Sequence, residues 1–374
     1  MRRFFLKFII LAAMLLGLPL LGVVIAGYPL ARYLEFPPIS RYIEHAPFSW
    51  IAFGGYTVFI IIITFHLIVR RFKAAEEPEG KPKPSYRFPW WGWLAVVFGI
   101  IAWIFAWSRF SWFAQLQPHT FTPLWVSFIV VINALTLKRA GRCMMLDRPV
   151  FFLILFPFSA LFWWFFEYLN RFVQNWHYAG VRFQPTEYFW YATLSFSTVL
   201  PAVLGAMQWI ASFKGFHERY GNFFPIKIAK PCSAAGVVLA LSGFGLAGIG
   251  LWPNYLFPLL WISPLLIVVS LQTFMKERHV FSDIACGNWQ RVVTSALAAL
   301  LCGLFWETWN FYSLAKWLYT VPYVHRFQIF EMPILGYAGY LPFGLECVTV
   351  GLLIENLPIF SKNPSILLQS PGDA

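Results

Sequence analysis

Charge is what this sequence most lacks. Asp, Glu, Lys and Arg make up 12% of its 374 residues, about half of what a soluble globular chain carries. Hydrophobic residues reach 59%, and the mean hydropathy is +0.63. A soluble enzyme, a disordered chain and a fibrous protein are all excluded. Cysteine is scarce as well. There are five, none in a C-x-x-C pair, and the odd count and missing ligand spacing exclude a disulfide framework and a zinc site. No Gly-rich phosphate loop and no RNA-binding signature is present. The net charge of +12 is therefore not read as a nucleic-acid footprint. Lys and Arg collect in the cytoplasmic loops of membrane proteins, and that accounts for the excess. No cofactor motif is found, so no cofactor is assigned.

What the sequence has in abundance is apolar runs of bilayer length. They fall near 4–26, 48–69, 89–107, 121–137, 150–170, 188–213, 233–252, 255–274, 292–313 and 333–354. These predict an all-α, polytopic transmembrane helical bundle of about ten spans. The first run follows Met1-Arg2-Arg3 and resembles a signal peptide, with Val24-x-Ala26 in the place of a cleavage site. Its length favours an uncleaved span. With both termini placed inside, 21 Lys and Arg fall in inside segments and 7 outside. This asymmetry predicts a cell inner membrane protein with both ends cytoplasmic. Four regions follow: a two-helix unit at 1–70, a charged loop at 71–88, a main helical domain at 89–355, and a short tail at 356–374.

Inside the main domain an internal repeat stands out, within 161–191 and 301–335. Both copies read E-x-x-N, then W-x-Y, then R-F-Q-x-x-E. The first holds Glu167, Asn170, Trp176, Tyr178, Arg182, Phe183, Gln184 and Glu187. The second holds Glu307, Asn310, Trp317, Tyr319, Arg326, Phe327, Gln328 and Glu331. Offsets that grow only from 140 to 144 indicate duplication. The copies begin on the fifth and ninth spans, so an even number of spans separates them. They form a parallel repeat, with a pseudo-two-fold axis along the membrane normal. Each Glu shares a helix face with the Asn three residues on.

Acids in a membrane are costly, which makes each one a site candidate. Glu307 is the deepest of the repeat acids, Glu346 lies near the middle of the last span, and Glu355 at its inner end. In a structural reading the repeat acids pair with Arg182 or Arg326 and clamp the loops. In a catalytic reading Glu187 or Glu331 is the general acid, and Glu167 and Glu307 stabilise cationic charge. Arg182, Arg326, Asn170, Asn310, Trp176, Trp317 and His177 then bind or orient the substrate. His119 and His325 are further outer-side candidates, and His66 reads as a packing residue. Metal ligation is not expected. Aromatics make up 20% of the chain, as 41 Phe, 19 Trp and 16 Tyr. They suit lipid-facing packing and interface belts, or the lining of a long apolar ligand site in which Trp163, Trp164, Trp306 and Trp309 flank the acids.

The segments Phe166-Glu167, Trp176-His177-Tyr178 and Pro185-Thr186-Glu187-Tyr188-Phe189-Trp190 resemble the layout of lycopene cyclase-type membrane domains. Trp306-Glu307, Trp317-Leu318-Tyr319 and Phe330-Glu331-Met332-Pro333 resemble it more loosely. The resemblance implies acid-catalysed cyclisation or rearrangement of an isoprenoid inside the bilayer. The chain departs from that pattern at Tyr188, which stands where the family has a second acid, and in the even spacing of its repeat. Three functions are therefore weighed. One is a membrane enzyme acting on an isoprenoid or other lipid near the outer leaflet. Another is a transporter or proton-coupled carrier with its site at the repeat interface. The last is a non-catalytic assembly or lipid-binding protein. The partner expected in each case is a membrane lipid or apolar small molecule; the sequence leaves the oligomeric state open.

Overall fold

A chain segment in hydrocarbon must satisfy its own backbone hydrogen bonds, so each apolar run becomes a helix. The computed structural model of the chain describes residues 2–72 and 86–360. Most of the predicted charged loop (73–85) and most of the tail (361–374) lie outside the described residues. The helices that concern the site are α1 (Arg2–Ile25), α2 (Trp50–Phe72), α3 (Trp90–Trp107), α4 (Phe121–Ala140), α5 (Pro149–Val173), α6 (Pro185–Phe196), α7 (Val199–Ala211), α8 (Pro231–Leu251), α9 (Ser263–Phe274), α10 (Gln290–Phe311) and α11 (Tyr340–Glu355). Among the described residues, nine helical segments are long and apolar enough to cross a membrane, α6 and α7 forming one of them. The predicted eighth span is not one straight helix. Pro253–Trp261 and Ser263–Phe274 meet at a 51° bend; counted as one broken span, the two bring the number to ten. Three prolines, Pro253, Pro258 and Pro264, remove backbone donors around that bend.

The duplication is wider than the matching segments suggest. Helix α3 packs on α4, α4 on α7, and α5 on α7; in the same way α8 packs on α9, α9 on α11, and α10 on α11. Contacts between the halves follow the same rule, with α10 on α7 matched by α5 on α11, and α3 on α10 matched by α8 on α5. The unit is thus four spans, α3–α7 and α8–α11. Two short matches support it. Phe121, Leu124, Trp125 and Ser127 recur as Phe257, Leu260, Trp261 and Ser263, and Leu200, Pro201 and Leu204 recur as Leu341, Pro342 and Leu345. Helices α1 and α2 stand outside the unit. Helix α1 lies along α8 at very close range: a Cβ on Gly22 would sit 1.9 Å from the Ala247 carbonyl oxygen, and one on Gly250 would sit 2.6 Å from that of Pro19. Helix α2 is almost bare on the outside, touching the Ile334–Gly339 turn and the short helix Lys214–Tyr220.

The only strands longer than two residues, among those described, are β1 (Trp176–Ala179) and β2 (Lys316–Tyr319). They are the two W-x-Y segments, and they pair antiparallel. Trp176 faces Tyr319, Tyr178 faces Trp317, and His177 faces Leu318 at the centre. Exchanging the copies maps this ladder onto itself, as a two-fold axis between the halves requires. The ribbon joins the ends of α5 and α10, so both copies present their motifs at one end of the bundle.

Candidate functional site

Each copy builds a cage around one glutamate. Near the C-terminal end of α5, Asn170 reaches forward to the ribbon. Its Nδ2 donates to the Trp176 carbonyl (2.8 Å) and its Oδ1 accepts from the Asn175 amide (2.8 Å). Asn310 does the same at the end of α10, donating to the Trp317 carbonyl (2.8 Å) and accepting from the Trp317 amide (2.9 Å). The asparagines therefore fix where the W-x-Y side chains point. One helical turn earlier, Glu167 receives them. Its Oε1 accepts from the indoles of Trp163 (3.1 Å) and Trp176 (3.0 Å) and from the Tyr178 hydroxyl (2.6 Å). Glu307 Oε1 accepts from the hydroxyls of Tyr319 (2.7 Å) and Tyr340 (2.8 Å), while the Trp317 indole donates to the Tyr319 oxygen (2.8 Å). Both glutamates are sealed from solvent, at 1% and 0% exposure, and the second oxygen of each accepts no hydrogen bond.

The cages differ by one compensated exchange. Trp163 of the first copy corresponds to Gly303, and Val199 corresponds to Tyr340. A Cβ on Gly303 would lie 2.4 Å from the Tyr340 ring, so the glycine makes room for the phenol that replaces the missing indole. Around the cages the aromatics also pair across the axis. Phe166 stacks on Trp261 at 5.0 Å, and its counterpart Trp306 lies against Trp125, the counterpart of Trp261, at 4.8 Å. Such pairs lock the two halves together beyond simple burial.

Beside the cages lies a cavity of about 1210 Å³. Tyr178, Tyr319 and Tyr340, the phenols that bond the glutamates, are part of its wall, as are the cage indoles Trp163, Trp176 and Trp317. It continues past the bent span to Val292 and Val293 at the opposite end of α10. From Val292 to Trp306 is fourteen residues, a length of about 21 Å along a helix. One side is formed by α2, from Tyr56 to Ile68. The rest of the wall is almost wholly apolar, Lys316, Asn175 and Ser195 being among its few polar members.

The predicted residues separate into two groups. Glu167, Glu307, Asn170, Asn310, Trp176 and Trp317 come together as described. Glu187 and Glu331 do not join them. Glu187 is exposed and closes a capping box on α6 with Gln184; Glu331 bonds Lys316 Nζ at 2.5 Å. The expected Glu–Arg clamps do not form among the described residues. Arg182 is exposed, and Arg326 lies over the rings of Phe48, Trp50 and Phe327 at 5.0–5.4 Å. His177 stands at the centre of the ribbon, edge-on to Tyr42. Burial keeps its imidazole below the usual range, and burial followed by the charge of His45 does the same for His325. His119 packs on Tyr191 at 4.0 Å, and His66 packs beside Phe65 and Phe224. Burial, then the Glu charge, pushes the Tyr178 and Tyr319 hydroxyls well above the ordinary phenol value. Both phenols therefore keep their protons and act as donors.

Tyr340, Trp125, Trp261 and Lys316 were not singled out by sequence. The repeated F-x-x-L-W-x-S of α4 and the bent span carried the signal for the two tryptophans. Nothing in the sequence pairs Tyr340 with Glu307, because Tyr340 has no aromatic counterpart in the first copy. All five cysteines are free thiols, and no group of His, Cys, Asp and Glu able to hold a metal occurs among the described residues. Comparison with protein-family models, curated proteins and solved structures finds no match to this chain.

Proposed function

We propose that this multi-pass protein is a membrane enzyme that holds a long apolar lipid chain, an isoprenoid being the leading class, and performs acid–base chemistry on it. One observation carries the reading: the phenols on the cavity wall are hydrogen-bonded from behind to buried carboxyls. When the glutamate is ionised, the phenol donates to it. When the glutamate holds a proton, the bond reverses. The carboxyl donates to the phenol oxygen, and the phenol hydrogen is turned towards the cavity. Passing that hydrogen to a carbon–carbon double bond leaves a cation on the chain and a neutral tyrosine, re-protonated by its glutamate. Loss of a proton from the cation to the same pair returns the starting state, so the step is an isomerisation or ring closure with no net reactant. The indoles of Trp163, Trp176 and Trp317, which line the same wall, would stabilise the cation. In this reading Glu167 and Glu307 are the proton stores, Tyr178, Tyr319 and Tyr340 touch the substrate, and Glu187 and Glu331 support local structure. The resemblance to lycopene cyclase-type domains agrees with it. The Lys and Arg distribution would put the ribbon on the outer side of the cell membrane.

The test is mass spectrometry of total lipids from cells with the wild type, a deletion, Glu167→Gln with Glu307→Gln, or Tyr178→Phe with Tyr319→Phe and Tyr340→Phe. One lipid species should vanish in the deletion. It should fall at least about a hundredfold in both the carboxyl and the phenol variants at equal protein level, the usual loss for a missing general acid. Unchanged profiles in the deletion would remove the enzyme reading. They would favour a carrier, for which the bent span is the supporting feature, since broken helices line transporter sites.

A further inference from the structure

The four-span duplication allows one half of the molecule to serve as a control for the other. On α9 and α11 of the second copy three side chains are buried without any hydrogen-bond partner: Glu346 at both oxygens, Gln272 at both amide atoms, and the Ser270 hydroxyl. Their exposures are 3%, 0% and 1%. The first copy has Gly205, Thr136 and Ala134 at the matched positions. There Thr136 satisfies itself on the Ile132 carbonyl at 2.7 Å, and glycine and alanine leave nothing to satisfy. The same architecture therefore stands without these polar groups, and packing does not explain their presence.

Glu346 is nine residues from the end of α11, about 14 Å along the helix and so near mid-membrane depth. The backbone amide of Leu265, in the first turn of α9 just past the bend, faces its carboxyl without completing a hydrogen bond. No Lys, Arg, Asp or Glu side chain from the helices packed against α11 acts on it; the titratable group beside it is the Cys347 thiol, itself facing Cys302. An ionised carboxylate in that setting has no counter-charge and is costly. Gln272 lies seven residues beyond Leu265 on the same face of α9, about 10 Å nearer the end of the helix. Beyond it the chain turns polar at Lys276, Glu277 and Arg278, where Arg278 and Arg291 both bond Asp283 at 2.7 Å.

We propose that Glu346 is a proton-binding site within the membrane, loaded from the polar end of α9 through Gln272. It is distinct from the two glutamate cages and stands whether or not they are catalytic. The ligand is the proton itself: the carboxyl has no cationic partner and no second acid to share a metal.

The test is infrared difference spectroscopy of the full-length protein in lipid, wild type against Glu346→Gln, in light and heavy water near neutral pH. A carboxylic-acid carbonyl band should be present in the wild type, absent from the variant, and shifted after transfer to heavy water. Gln272→Thr, the first copy's residue, should slow that shift about tenfold, the rate cost of one lost hydrogen bond on the path. If Glu346→Gln does not fold, Glu346→Gly, again the first copy's residue, supplies the blank. A wild type without the band would mean an ionised Glu346 and overturn the site. A band that never shifts would make it a sealed structural acid. A Gln272→Thr protein exchanging as fast as the wild type would overturn the path.

Discussion

At the residue scale the glutamate cages are defined by what they ask of position 307. Tyr319 and Tyr340 both donate to a single oxygen, Oε1. Glutamine keeps that oxygen as an acceptor and fits the same space. Leucine fits the space but leaves two phenols unsatisfied, each at roughly 1–3 kcal/mol. Glu307→Leu should therefore unfold about 2–6 kcal/mol more easily than wild type in the same detergent, and Glu307→Gln within about 1.5 kcal/mol of it. Denaturant titration followed by tryptophan fluorescence reads both. Equal losses for the two would mean that the phenols are satisfied elsewhere and that the cage is not what holds Glu307. The four repeat acids looked alike in sequence because a motif gives order along the chain, not depth. Glu167 and Glu307 sit on the last turns of long apolar helices, whereas Glu187 and Glu331 follow the ribbon, where they reach a helix end and a lysine instead.

At the element scale, the close contact of α1 with α8 rests on glycine. Gly22 of α1 has room for no side chain against α8, while Gly17, five residues earlier, has open space beyond its Cα. Gly22→Val should cost roughly 1–3 kcal/mol, the usual result of overpacking, and Gly17→Val close to nothing. Thermal melts of the two variants decide it, and a destabilised Gly17→Val would show that α1 is held differently. Spans and their number were legible because hydropathy over about 20 residues is a strong signal. The bend at Ile262 was not, since the apolar run continues straight through it. The β-ribbon was also hidden: W-x-Y fits an interfacial belt as well as a strand, and only the partner strand, some 140 residues away in sequence, decides between them.

At the scale of the whole molecule, the cavity runs along the thinly covered helix α2. Ile63 lies on its wall, whereas Ile51, on the same helix, is 89% exposed and faces away. Ile63→Trp should reduce the long-chain lipid retained through purification, and Ile51→Trp should not. Quantifying extracted lipid per mole of protein settles the matter. Equal retention in both variants would place the bound chain outside the cavity. The duplication itself was read from one pair of segments, and the shorter F-x-x-L-W-x-S and L-P-x-x-L matches gain their meaning only from the helix packing. At other matched positions the halves have diverged to unlike residues, such as Trp163 with Gly303 and Val199 with Tyr340.

The self-matching ladder of the ribbon also bears on ancestry. A separate four-span chain could close the same ribbon by pairing its W-x-Y strand with that of a second identical subunit. In such a homodimer every substitution is present twice, so an acid at the position of Glu346 would be repeated at the place of Gly205, against Ile132 and Asn133. Fusion into one polypeptide lifts that constraint. It lets one side of a symmetric scaffold carry a buried acid at that position while the other stays apolar, and so sets apart two halves that the frame makes alike.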